Sequence, residues 1–373
     1  QVAGRFRAAV GDSGRVARLG GDEFAVLLHR TTEPLDVEGA LATVHDCLQE
    51  PVEVAGIPIK VETTVGTAVC PRDGETAELL WQHADVALRT AKERHERHLH
   101  YHPGINQYDP TRLALISELR VALTEDQLVL HYQPKLDLKS GRTVAVEALV
   151  RWKHPTRGMT FPDTFIPLAE RTGLINPLTT WVVTAALRQG LELAQAGLPL
   201  DVSVNLSARN LHEPGFSQEL LRLIDAIGFP LSRLTLEITE TAIMADPARA
   251  KTVLGQLHDA GIHLSMDDFG IGQSSLTYLK DLPITKMKID KSFVMGFDQA
   301  RNVCIVRSAI DLGRNMGLNV TAEGIEDEAT YHALRDLGCD LGQGYFFSKP
   351  LGIEPLTSWL RESRWGVTGE TSV

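Results

Sequence analysis

Apolar residues recur along this chain in two different periods. Over residues 76–92 Leu79, Leu80, His83, Val86, Ala87 and Thr90 trace one helical face, and Leu41, Val44 and Leu48 do the same over 38–49. Arg15–Leu19 and Phe24–Leu28 are apolar-rich runs on either side of Gly20-Gly21-Asp22-Glu23, which predicts a hairpin over 15–29. Short strands are expected near 52–54 and 57–69. From residue 111 a helix carrying Leu113, Ile116, Leu119 and Leu123 leads into an apolar run at 128–133. A turn at 137–141 then leads into 143–151, and two strands so closely joined pair antiparallel. Short apolar strands then alternate with helical segments at 200–205, 234–238, 262–267, 284–290, 317–322 and 339–346. Such alternation implies parallel strands with right-handed crossovers, and six or more units in one domain imply an α/β barrel of the (β/α)8 type. The hairpin at its start predicts one antiparallel strand. The preceding hundred residues read as a partial α+β domain, with a boundary at Pro103-Gly104, giving domains 1–103 and 104–373.

Each barrel strand stops at a polar residue. Val202-Ser203-Val204 ends in Asn205, Leu234-Thr235-Leu236 in Glu237, Leu264-Ser265-Met266 in Asp267-Asp268, Lys286-Met287 in Lys288, Val320-Thr321-Ala322 in Glu323, and Leu341-Gly342 in Gln343. In a parallel barrel the carboxyl ends of the strands share one face, where barrel enzymes hold their chemistry. Several carboxylates in one mouth repel and raise one another's pKa unless cations are present. Oxygen donors without His or Cys suit Mg2+ or Mn2+, and two such ions serve in-line displacement at phosphorus. A lysine beside them can hold the attacking water or move a proton. Singly, each residue reads as a polar strand terminus or helix cap; six at successive strand ends read as a site.

Charge and composition narrow this picture. The 373 residues carry 37 Lys and Arg against 48 Asp and Glu, a net charge of −11 spread over both parts, which excludes a long duplex nucleic-acid surface. Four cysteines without a C-x-x-C pair indicate a reducing compartment, so a cytoplasmic location is expected. No apolar run is long enough to span a bilayer. The start, Gln1-Val2-Ala3-Gly4-Arg5, has neither Met nor an apolar leader, and the expectation is a fragment of a longer protein with room upstream for a sensor or membrane segment. Histidines cluster at His95, His98, His100 and His102, where a metal site is the sharper reading and a solvated helix end and linker the better one.

Residues from about 112 to 362 resemble the EAL domain family of cyclic di-GMP phosphodiesterases. The naming motif stands as Glu147-Ala148-Leu149, followed by Arg151, with Tyr132-Gln133-Pro134 before it. After it come Asn205-Leu206-Ser207, Glu237-Ile238-Thr239-Glu240, Asp267-Asp268-Phe269-Gly270, Lys288-Ile289-Asp290, Ala322-Glu323-Gly324 and Gln343-Gly344-Tyr345. The resemblance implies hydrolysis of cyclic di-GMP to linear pGpG by water, with two Mg2+ or Mn2+ ions. It implies Glu147, Asn205, Glu237 and Asp267 as ligands of the first ion, and Asp267 with Asp268 and Glu323 at the second. Lys288 and Glu323 are then the catalytic pair, Lys288 as base or as water orienter. Gln133, Leu149, Arg151 and Gln343 are the implied substrate contacts, Arg151 on a phosphate. A loop after the strand at 262–267 is expected to be pinned by Glu240 and shaped by Gly270, Ser274 and Ser275, near a homodimer contact.

Residues 5–102 resemble the later two thirds of a GGDEF (diguanylate cyclase) domain, through Gly20-Gly21-Asp22-Glu23-Phe24. An earlier strand with a metal ligand should precede residue 1. The product-inhibition motif is not matched at Gly11 and Gly14, and the late basic motif keeps only Lys92. The Gly20–Glu23 turn is therefore expected to be vestigial for synthesis, with GTP as a possible regulatory ligand. The alternative to a phosphodiesterase is a cyclic di-GMP receptor that binds without hydrolysis.

Overall fold

The chain falls into two units, Gln1–Arg112 and Leu113–Val373, each with its own packing. The computed structural model describes residues 1–20, 23–28, 37–54, 57–59, 61, 63–94, 96–105, 110–270, 281–297 and 300–367. No helix among them is long and apolar enough to cross a membrane.

In the first unit a helix, Val2–Val10, precedes strands β1 (Gly14–Gly20) and β2 (Glu23–Leu28), which form the expected antiparallel hairpin. Phe6 of that helix packs edge-on against Phe24 at 5.3 Å. After a helix at Val37–Asp46 come β3 (Val52–Val54) and β4 (Ile57–Ile59), which pair antiparallel, and β5 (Val65–Thr67). The single strand expected over 57–69 is thus two short ones. Helix Ala77–Arg94 then crosses to β6 (His98–His100), which lies parallel to β5. In the histidine segment His102 lies in the connection that follows β6, while residues His98–His100 form a strand and not a helix end. Its polar composition conceals it, because its alternation is fixed by pairing: Thr67 Oγ1 meets His100 Nδ1 at 2.9 Å, and the other ring nitrogen lies 2.9 Å from Asp73. His95 lies outside the described residues.

The second unit opens with a helix, Pro110–Ala122, then β7 (Leu128–Asp137) and β8 (Arg142–His154). A short β9 (Gly158–Thr160) folds back on the end of β8. The remaining strands are β10 (Asp201–Leu206), β11 (Leu234–Thr239), β12 (His263–Phe269), β13 (Lys286–Ile289), β14 (Asn319–Glu323) and β15 (Leu341–Gln343). β8 pairs with β10 in parallel, and parallel pairing continues to β15. β7 closes the ring antiparallel to both β15 and β8. The result is an eight-stranded (β/α) barrel with one reversed strand.

The strands carry two sets of side chains because successive residues face opposite sides of a sheet. Val202, Val204, Leu234, Leu236, Ile238, Leu264, Met266, Met287, Ile289, Val320 and Ala322 are buried in the apolar layer shared with the helices. The intervening residues point into the barrel and are polar: Ser203, Thr235, Glu237, Ser265, Asp267, Lys288 and Thr321 are all buried, and Lys286 is half-buried. Barrel interiors are usually packed with branched apolar side chains. Here they are filled by hydrogen-bonded polar groups, such as Lys286 Nζ donating to Thr235 Oγ1 at 2.9 Å.

At the mouth, two loops are locked by backbone. Ile325 N–H donates to the Gln343 carbonyl at 3.1 Å, and Phe346 N–H to the Ile325 carbonyl at 3.0 Å. A Cβ on Gly344 would sit 2.0 Å from that same Ile325 oxygen, so only glycine permits the approach. Gly344→Ala is therefore expected to destabilise the unit by about 1–3 kcal/mol, as overpacking does, read as a lowered urea midpoint with an unchanged slope.

Candidate functional site

Strand register assembles the mouth. Gln133 pairs with Glu147 across β7 and β8, Asn205 with Glu237 across β10 and β11, and Glu323 with Gln343 across β14 and β15. Asp267 lies beside Thr239, on β12 next to β11. Inward side chains from eight successive strands thus meet at one level.

Lys288 stands at the centre and is 2% exposed. Its ammonium lies 2.6 Å from Glu323 Oε1, 2.8 Å from Glu237 Oε2, 3.1 Å from Asp267 Oδ2 and 3.5 Å from Glu147 Oε2. Glu147 also accepts from Asn205 Nδ2 at 2.7 Å and from Gln343 Nε2 at 2.8 Å. The Gln343 amide reaches Gln133 Oε1 at 2.9 Å as well, and Gln133 in turn donates to the Ser348 carbonyl. Alternation alone would turn Asp268 away from its neighbour Asp267. It sits instead in the left-handed region at φ 56°, where the β12–β13 register slips, so its side chain departs from simple alternation. Asp tolerates that conformation better than most residues. Held here at a site, it is the kind of local strain, of order ~1 kcal/mol, that surrounding structure must enforce.

Burial works against every charge in this cluster. For Lys288 the surrounding carboxylates outweigh it and hold the ammonium protonated far into the basic range. For Glu237 burial is outweighed by the Lys135 and Lys288 ammoniums, which keep its carboxyl well below the usual range. Asp267 and Glu323 go the other way. Burial and the neighbouring carboxylates push both upwards, with Lys288 only partly opposing. Five carboxylates face two ammoniums, so added positive charge would be stabilising. The donors are all oxygens, and the Gln343 Oε1 atom is buried without a hydrogen-bond partner among the described residues. This donor chemistry fits hard divalent cations. Among the described residues no group of three or more His, Cys, Asp or Glu side chains is already set to hold a metal ion; the carboxylates close on the Lys288 ammonium.

The remaining expected residues lie further out. Leu149, half-buried, and Arg151 follow Glu147 on the same face of β8, one and two pairs towards the rim. Arg151 donates to the Val150 carbonyl at 2.9 Å, and its guanidinium lies 5.3 Å from the centre of the exposed Phe161 ring. Buried Glu240 accepts from Gly270 N–H at 3.3 Å, which ties down the start of the following loop. Ser274 and Ser275 lie outside the described residues. So do Gly21 and Asp22; Gly20 and Glu23 are paired at the closed end of the β1–β2 hairpin in the first unit.

Sequence reasoning overlooked Lys135 and Phe161. Lys135 lies on the inner face of β7, two residues below Gln133, with its ammonium on Glu237 Oε1. The signal was the same period of two that marks Gln133. Phe161 lies beyond β9, and nothing in local spacing brings it to Arg151.

Comparison with known proteins agrees with this geometry. The family model of the EAL domain matches residues 116–350, and that of the diguanylate cyclase GGDEF domain matches residues 1–98. The bifunctional diguanylate cyclase/cyclic di-GMP phosphodiesterase MucR of Pseudomonas aeruginosa is 37% identical over 359 residues, covering 95% of this chain and 52% of that protein. The cyclic di-GMP phosphodiesterase NbdA of the same organism is 38% identical over 369 residues, covering 98% and 47%. The chain thus spans about half the length of these curated relatives. A solved structure of the PaMucR phosphodiesterase in complex with c-di-GMP superposes with a TM-score of 0.63 at 40% identity, over 65% of this chain and 99% of that one. On these grounds the chain belongs to the EAL domain family, its EAL domain preceded by a GGDEF segment.

Proposed function

We propose that this chain hydrolyses cyclic di-GMP to linear pGpG with the help of divalent cations. The observation that carries the reading is the ring of strand-end carboxylates and amides held by register around one buried ammonium. Relatives and a solved neighbour named for this activity and this ligand support it.

Glu147, Asn205, Glu237 and Asp267 would hold a first cation, and Asp267, Asp268 and Glu323 a second. Bound there, two Mg2+ or Mn2+ ions would supply charge neutralisation at phosphorus and an acidified water. The protein's own groups account for the rest. Lys288, whose ammonium the surrounding carboxylates favour, is placed to orient the attacking water by donating to it. Glu323 is placed beside Lys288, where its carboxylate can take the proton that water loses. Arg151 presents a planar fork to a phosphate, held under Phe161. Gln133, Leu149 and Gln343 line the wall on which the dinucleotide rests. Glu240 holds Gly270, where the segment carrying Ser274 and Ser275 begins in sequence, and this side of the barrel is the proposed homodimer contact.

Residues 104–373 are assigned as the phosphodiesterase domain, and 1–103 as a GGDEF module that binds GTP for regulation without making product in this chain. The absence of a C-x-x-C pair among the four cysteines supports a cytoplasmic location for this reaction.

Incubation of the chain with cyclic di-GMP and Mg2+, with and without GTP, should yield pGpG on chromatography and no cyclic di-GMP from GTP alone. Tight binding without product would establish the receptor reading instead. Glu147→Ala should lower turnover by more than ~100-fold, beyond what outer contacts to a metal ligand cost; a normal rate would remove Glu147 from the ligand set. Chelation by EDTA should stop the reaction, and Mg2+ or Mn2+ should restore it. Because Asp267 and Glu323 have raised proton affinity, protons compete with the ions. The half-saturating Mg2+ concentration should rise as pH falls from about 8 to about 6, measured from initial rates at each pH.

A further inference from the structure

Beneath the mouth lies a second buried ammonium. Lys135, 3% exposed, reaches up inside the barrel from β7 and meets Glu237 Oε1. It also donates to Ser203 Oγ at 3.1 Å. Glu237 is 1% exposed, and its second oxygen, Oε2, is the one that faces Lys288 at 2.8 Å. Its two oxygens are therefore distinguished by the protein: one is engaged from below, the other is turned to the mouth. Lys135 pairs in register with Ala145, a full inner layer below Glu147, and is too deep to touch a substrate at the rim.

We propose that Lys135 is a positioning residue for divalent-cation binding. It fixes the Glu237 carboxylate in one orientation, so that a single oxygen is offered to the cation. Ser203 braces the lysine from β10, which ties β7, β10 and β11 together under the site. Ligands to a metal are commonly oriented in this way by partners one step removed, and losing such a partner weakens the metal and the reaction together. The inference rests on the assignment of Glu237 as a ligand made above.

The test compares the chain with Lys135→Met and Ser203→Ala. Mn2+ binding is measured by titration calorimetry, and turnover of cyclic di-GMP is measured across Mg2+ concentrations. Lys135→Met should raise the Mn2+ dissociation constant and the half-saturating Mg2+ by about 10- to 100-fold. The KM for cyclic di-GMP at saturating metal should stay within about 3-fold, because the substrate does not meet Lys135. Ser203→Ala should move the metal values in the same direction by about 3-fold, the loss of one neutral hydrogen bond.

A merely structural lysine would lower the melting temperature and leave the metal values alone; that result in folded Lys135→Met overturns the proposal. So does tighter Mn2+ binding, which would make Lys135 a charge that competes with the ion. Removing one member of a buried ion pair can unfold a protein. If Lys135→Met does not fold, Ser203→Ala decides, and unchanged metal values there refute the idea. An unmodified chain that binds Mn2+ and makes pGpG while the variants match it sinks this proposal alone. An unmodified chain that does neither sinks the phosphodiesterase reading itself.

Discussion

An ammonium cannot be left bare inside a protein, and the barrel is organised around satisfying one. Lys288 projects from β13 into a space from which water is almost excluded. Its charge is met by carboxylates from β8, β11, β12 and β14, with nitrogen–oxygen distances from 2.6 to 3.5 Å. Each of those strands must present its inward residue at the same height, or a buried charge is stranded at large cost. Register, strand tilt and the polar filling of the barrel follow from that requirement. The carboxylates in turn outnumber the ammoniums, and this imbalance makes the mouth receptive to further cations.

Little of the stability needs to come from this interior. The apolar residues that alternate with the polar ones pack against the surrounding helices, and nearly all of them are fully buried. The helices are tied to the strand ends by local caps: Ser207 forms a capping box with Asn210, Thr239 accepts from Ala242 N–H, and Asp290 from Ser292 N–H. The turns that leave β10, β11 and β13 are thereby fixed within a few residues. The backbone at the end of β15 is held by the Ile325 clip, in addition to the side-chain contacts of Gln343.

Most of this was legible from local pattern. Apolar runs of four to six residues bounded by polar ends marked the strands, because a strand covered by helices must be apolar on at least one face. The reversed β7 was legible because the turn at 137–141 is too short for a crossover. Other features depend on contacts that no local pattern encodes. Asp268 breaks alternation through a left-handed backbone, which spacing cannot reveal. Lys135 looks like any charged residue in a strand until the barrel closes and places Glu237, about a hundred positions later, against it. β6 was hidden because two of its three residues are histidines, and its pairing with β5 is made across a helix. Phe161 meets Arg151 only because β9 folds back on β8.

The alternation of faces along each barrel strand has an evolutionary consequence. Fold and chemistry are written on interleaved positions of the same short segments, and they can be inherited separately. Replacing buried ion pairs by neutral groups of similar volume is often tolerated, while apolar losses from the outer layer are not. A descendant could therefore lose its catalytic charges one concerted group at a time and keep the barrel, the rim and the loops. Such a lineage would retain a shaped cavity freed from selection for turnover, and so a ready origin for proteins that respond to a ligand their ancestors consumed.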